Sequence, residues 1–218
     1  MAATLEAPPP PVSPERSIGS VVLDGISWET YERLREETDS SVRIVYDNGR
    51  MQIMPPPMAD HGDQLTTLRR LAEATFEIAG IDWTGYNVVT LARKELGRGA
   101  EGDEAYYVRA EPPPRGTRRF DFAVHNPPDL VIEVDITNSS IPKEPIYAAI
   151  GVAELWRIDG DALSVRRLRD DRSGYDDAAT SGLLPELDVA ALAEHVRLGR
   201  TLRQGEVVRR WRAMLSNV

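Results

Sequence analysis

The sequence predicts a mixed α/β domain, with α+β character, around a single sheet. Helical periodicity and strand alternation are interspersed in the order α-β-β-α-β-β-β-α-β-β, which fits packed layers of both element types. Two hairpin signals, Asn48-Gly49 and Asp159-Gly160, mark antiparallel pairs. No internal repeat and no interdomain linker divides the 218 residues.

Residues 1–17 are rich in Pro and Ala, with a run from Pro8 to Val12, and are expected to form a disordered arm. The main domain is expected over 18–198 and a helical tail over 199–218. From Ser27, a natural N-cap, Trp28, Tyr31 and Leu34 recur every three residues, so a helix is expected to about Thr38. Val42, Ile44 and Tyr46 then alternate before Asn48-Gly49, with Met51 and Ile53 after it, and Pro55 to Pro57 stop the second strand. Leu65, Leu68, Leu71, Ala72 and Phe76 share one face of a helix from about Asp60 to Ala79, ended by Gly80. Two extended segments follow, TGYNVVTLAR and GDEAYYVRA. Residues 111–128 read as a long loop with room for a short strand at Phe120–Val124. The most apolar strand is DLVIEVDIT, Asp129 to Thr137. A helix from about Pro142 to Ile150 ends at Gly151, the second hairpin spans Glu154–Asp159 and Ala162–Leu168, and two helices separated near Gly199 close the pattern.

Composition removes several chemistries. There is no cysteine, so disulfides, thiolate zinc sites, iron–sulfur clusters and cysteine nucleophiles are excluded. No apolar run approaches the roughly 18–20 residues of a membrane span. The opening residues lack a basic start and an apolar stretch, so no secretory signal is expected and a soluble cytoplasmic protein is. The net charge of −9 repels phosphate at long range, leaving room for a local basic groove or for carboxylates gathered around a cation.

The chemistry concentrates in DLVIEVDIT. Alternate residues of a strand face opposite sides, so Leu130, Ile132, Val134 and Ile136 share a core face. Asp129, Glu133 and Asp135 lie together on the other face, beside Val131. A solvated face would ordinarily carry Thr, Lys or Arg, and a central Glu133 needs a partner for its charge. Glu133 and Asp135 lie about 6.6 Å apart along the strand, and Asp129 and Glu133 about 13 Å. One hard cation can bridge the first pair only. Asp103, on an extended segment that could pair alongside, would add an oxygen ligand of the kind magnesium prefers. Lys143, just past the strand, could supply a cation beside attacking water or a phosphate oxygen.

The run PPDLVIEVDIT, Lys143 four residues before Tyr147, and GVAELWRIDG resemble the Uma-two family of restriction endonucleases, within the PD-(D/E)XK nuclease superfamily. GRMQIMPPPMADH and Ile26-Ser27-Trp28-Glu29 extend the likeness to about residues 24–190. The resemblance implies a restriction-endonuclease-like core, a central mixed sheet flanked by helices. It places Asp103 at the Asp of the first strand motif and Glu133 at the acidic residue of the second. Asp135 stands where related nucleases often carry a lysine, and Lys143 implies that this function has moved to the following helix. Gly102 replaces the usual Pro before Asp103. His61 and Asp129 are accessory candidates.

The expectation is therefore a magnesium-dependent endonuclease, with manganese as an alternative ion, acting on DNA as a homodimer. Asp103, Glu133 and Asp135 would hold the metal and Lys143 would stabilise charge. A catalytically silent binding module of the same fold is the main rival, and a hydrolase of small phosphoesters a third reading. His125 and His195 read as structural or exposed, and Trp156 as core. Tyr106, Tyr107 and Tyr147 could stack on bases, although strand aromatics usually pack. Arg166, Arg167, Arg169 and Arg172 form the densest basic cluster, interrupted by Asp170 and Asp171, and read as a solvated hairpin edge.

Overall fold

The computed structural model describes residues 19–38, 42–56, 59–135 and 140–216. The arm over 1–17, Pro57, and the Ile136 and Thr137 end of the acidic strand lie outside them.

After β1 (Val21–Leu23), α1 (Trp28–Glu37) begins where the Ser27 hydroxyl accepts the Thr30 N–H. Its buried Trp28 and Tyr31 pack with Tyr46. β2 (Arg43–Asp47) and β3 (Arg50–Met54) form the first hairpin. Asn48 and Gly49 both adopt positive φ, 48° and 92°, as a two-residue turn of this type demands. α2 (Ala59–Ile78) follows, then β4 (Thr84–Arg93) and β5 (Arg98–Tyr107). β6 (Leu130–Asp135), α3 (Glu144–Ile150) and β7 (Glu154–Asp159) make a parallel crossover unit. β8 (Ala162–Leu168), β9 (Tyr175–Ala178), α4 (Val189–Leu198) and α5 (Gln204–Leu215) complete the order.

The sequence expectations need three corrections. β5 starts four residues before Gly102. Phe120–Val124 is a turn rather than a strand, with Phe120 and Phe122 packed edge to face. β1 and β9 are additional strands, each at an end of the sheet and too short to show alternation.

The nine strands form one sheet in the order β1-β3-β2-β5-β6-β7-β8-β9, with β4 on β5. Every pairing is antiparallel except β6 with β7. Alternation along β6 divides the core. Leu130, Ile132 and Val134 pack with α2, α4 and α5, while Val131 packs with Ile146, Tyr147 and Ile150 of α3. Trp211 of α5 is fully buried and donates its indole N–H toward the Leu71 carbonyl and the Thr75 hydroxyl of α2.

β5 is the organising strand. β4 runs along it from Arg98 to Tyr107. β2 pairs with Arg98 and Gly99, whereas β6 pairs with Glu104 to Tyr106. Both therefore share the edge opposite β4, end to end, leaving a fork alongside residues 100–103. Opposite Asp103, on β4, Val88 holds φ 50° between the paired residues Asn87 and Val89. A β-branched residue is strained there.

Away from the fork, Glu154 fastens the segment before α4. Its buried carboxylate accepts the Trp156 indole N–H at 2.6 Å, the Ser181 hydroxyl at 2.6 Å and the Gly182 N–H at 2.6 Å. Glu154→Ala would leave these donors without an acceptor, and we expect it to cost about 2–4 kcal/mol in urea unfolding.

Candidate active site at a fork in the sheet

The fork brings together residues from α2, β2, β5, β6 and α3. Asp103 is fully buried on β5. One of its oxygens accepts Arg43 of β2. The other accepts the His61 Nε2–H at 3.0 Å and the Val134 backbone N–H at 2.8 Å, the latter in place of a strand carbonyl. Burial alone would raise this carboxyl. The His61 hydrogen bond, with the Lys143 and Arg43 charges, outweighs it and holds the group at about 2. His61 uses Nε2–H for this bond, and its buried Nδ1 has no hydrogen-bond partner among the described residues.

Glu133 is the next position across from Asp103, one step beyond the Glu104–Ile132 pair. It is buried, with Lys143 Nζ at 2.7 Å from one oxygen and the Tyr147 hydroxyl at 2.5 Å from the other. Lys143 and Tyr147 lie four residues apart at the start of α3, so both reach the same strand. Burial pushes Glu133 up to about 7, with the Asp103 charge adding to the shift and Lys143 and Tyr147 opposing it. Burial disfavours the Lys143 cation, but the Glu133 and Asp103 charges overcome this and raise its pKa.

The Glu101 main-chain carbonyl accepts Lys143 Nζ at 3.0 Å and lies 3.2 Å from the Tyr147 hydroxyl. That hydroxyl has one proton for two acceptors. When Glu133 carries a proton, it can donate to Tyr147, which then donates to the Glu101 carbonyl. The Glu101 side chain is also drawn in: burial raises its pKa, and one carboxylate oxygen has no hydrogen-bond partner among the described residues.

On the α3 side the cluster opens into a cleft of about 340 Å³, lined by Glu133, Asp135, Lys143, Tyr147, Arg157 and Arg166, among others. Arg157 bonds Asp135 at 2.5 Å and lies within 3.5 Å of Glu144 and 3.3 Å of Asp159. Arg166 bonds Glu144 at 2.7 Å. The walls thus carry both signs of charge.

Of the six site residues expected from sequence, Asp103, Glu133, Lys143 and His61 converge, and Asp135 stands at the cleft beside them. Asp129 does not join them. It precedes β6, and one carboxylate oxygen accepts the N–H groups of Val108, Arg109 and Ala110 at 2.8, 2.8 and 2.9 Å, pinning the chain as it leaves β5. Arg43, Glu101, Tyr147 and Arg157 are the residues missed as members of the site. The four-residue step from Lys143 signalled Tyr147, whereas nothing local marks Arg43. Among the described residues, no three His, Asp or Glu side chains are gathered as a formed metal site.

The remaining candidates stay outside the fork. His125 Nδ1 accepts the Asp121 N–H, and His195 bonds the Ala191 carbonyl and meets Trp211 edge to face. Tyr106, Tyr107 and Trp156 are core residues.

A sheet fork holding two apposed acids and a helix-borne lysine sits in a nuclease-type fold. The crystal structure of a "putative nuclease belonging to DUF820" from Anabaena variabilis aligns with TM-score 0.56 at 14% identity, covering 76% of this chain and 97% of that one. The chain belongs to the Uma2 family, described as "Putative restriction endonuclease", whose pattern matches residues 28–203. No curated protein matches it. Among the described residues, no helix is long and apolar enough to cross a membrane.

Asp129 should act on stability alone. Asp129→Ala removes the acceptor of three backbone donors and is expected to cost about 2–3 kcal/mol in chemical denaturation.

Proposed function

We propose that the protein is a magnesium-dependent endonuclease that hydrolyses DNA phosphodiester bonds at the β5–β6 fork, with manganese able to replace magnesium. The observation that carries this reading is the apposition of Asp103 and Glu133, with Lys143 bonded to Glu133 at the head of an open cleft. Family membership supports it independently.

The donor set suits a hard cation: two carboxylates, the Glu101 main-chain carbonyl beside them, and an unpartnered Glu101 oxygen nearby. Asp103 and Glu133 would hold the ion, with Asp135 assisting from the cleft. When bound, such an ion lowers the pKa of water and neutralises charge on a phosphoryl oxygen. The protein's own groups supply the rest. His61 and the Val134 N–H keep Asp103 oriented and ionised. Lys143, released from Glu133, neutralises charge developing on the phosphoryl group. Arg157 and Arg166 line the approach for the anionic substrate. The water oxygen bonds to phosphorus, the bond to the leaving sugar oxygen breaks, and that oxygen takes up a proton. A homodimer would extend a groove that the net charge of −9 leaves incomplete in one chain.

One observation favours a second reading, a catalytically silent binding module. All four carboxylate oxygens of Asp103 and Glu133 are engaged by protein donors, so an arriving ion would share them with those donors or displace one.

Cleavage of a plasmid substrate with magnesium separates the two. Glu133→Gln and Lys143→Met should each lower the rate at least about 100-fold. Glu133→Gln should also weaken magnesium and manganese binding in titration calorimetry. Undiminished cleavage in both variants, in a preparation free of other nucleases, would sink the nuclease reading.

A further inference from the structure

Arg167, Arg169 and Arg172 are exposed, as a solvated hairpin edge requires, and Arg166 is half-buried. Arg166 turns to the catalytic cleft and bonds Glu144. Arg167, Arg169 and Arg172 instead join Arg109, 58 to 63 residues earlier in the chain just after β5, around a separate cleft of about 300 Å³. Arg169 bonds Asp176. Arg109, Arg167 and Arg172 have no carboxylate within ion-pair distance among the described residues, although the chain has a net charge of −9. Two acids share the lining: Asp170 and Glu154, which pairs across the sheet with Arg167 and accepts Trp156, Ser181 and Gly182.

The backbone is shaped to present these cations. Arg172 holds φ 56°, a left-handed conformation that is costly for a residue with a side chain. Its guanidinium lies over Gly151, where a β-carbon would come within 3.2 Å of it. Across the cleft, a β-carbon at Gly182 would come within 3.2 Å of Arg167 Nε. The Arg109 guanidinium is held by the Gly182 carbonyl at 2.8 Å. Two glycines and a strained arginine thus bring together four cations that outnumber the two acids of the lining.

We infer that this cleft is an anchoring site for the phosphodiester backbone of a nucleic acid strand, separate from the β5–β6 fork. The inference rests on the nuclease reading for its choice of anion. Glu154 pairs with Leu130 and Arg157 with Glu133, three residues on, so the side chains of the two sites leave opposite faces of the sheet. α3 spans the same interval, with Lys143 at its start and Gly151 at its end.

The test is fluorescence anisotropy of a labelled 20-nucleotide duplex and its single strand, without divalent ions, across a salt series. The variants are wild type, Arg172→Gln, the triple Arg109→Ala/Arg167→Ala/Arg172→Ala, and Arg209→Ala on α5 as a control. The triple variant should weaken binding at least about 10-fold near 0.1 M salt and flatten the salt slope by about two. Arg172→Gln, a change at an exposed side chain, should give a smaller loss of the same kind if the triple variant fails to fold. Arg209→Ala should match wild type. An unchanged affinity and slope in the folded triple variant would overturn the inference, as would tripolyphosphate binding at the arginines with no binding of either nucleic acid. Cleavage that depends on Glu133 with an unchanged arginine slope would leave the nuclease reading standing without this anchor. Arginine-dependent binding with no Glu133-dependent cleavage would do the reverse.

Discussion

β5 runs against β4 along one edge, and its other edge must be divided between β2 and β6, which arrive from opposite ends. Between them lies a stretch of buried backbone that no strand covers. Buried N–H and C=O groups need partners wherever the ladder fails to provide them. Here side chains do so: Asp103 accepts the Val134 N–H, and Lys143 donates to the Glu101 carbonyl. The polar cluster is thus a requirement of the sheet before it is a chemical device. The strain at Val88 falls at the same level of the sheet, where β4 passes the gap.

The same arrangement drives two neighbouring carboxyls apart. Asp103 sits at the back with donors from Arg43, His61 and the backbone, and stays ionised far below neutrality. Glu133 faces the cleft with only Lys143 and Tyr147 to offset its burial, and moves up toward neutrality. Paired acids separated in this way take different roles in proton and charge handling. The balance is intolerant of single losses, since removing one member of a buried pair strands the other's charge. Arg43 and Lys143 therefore serve stability, each as the partner of a buried carboxylate.

Much of this was legible in sequence, because the alternation within Leu130–Asp135 separates core from acids and the Asn48-Gly49 and Asp159-Gly160 turns set two hairpins. The acids on β5 and β6 and the lysine on α3 lie in strongly patterned segments, so their neighbours could be guessed. Arg43 could not, since its role depends on β2 ending short beside β5, a pairing that no local periodicity encodes. Asp129 follows the alternation of Glu133 and Asp135 in sequence, but its carboxylate orients the chain after β5 rather than joining theirs. It lies before β6, where its carboxylate serves the turn after β5. The arginines of the second hairpin read as an exposed edge, and Arg167, Arg169 and Arg172 form one, but the cleft they share was hidden because Arg109 is remote in the chain. β1 and β9, three and four residues long, are too short to carry a pattern.

The bond from Trp211 to Thr75 closes a loop of 136 residues, and it has a kinetic consequence. During vectorial synthesis α2 is made early, but the helix that covers part of its apolar face is made long afterwards. Contacts of such sequence separation slow folding, and surfaces awaiting them invite association while they wait. The nascent chain must therefore carry an open apolar stripe on α2 through most of its elongation. That interval, rather than the finished core, is where a holding chaperone would have its greatest effect on yield.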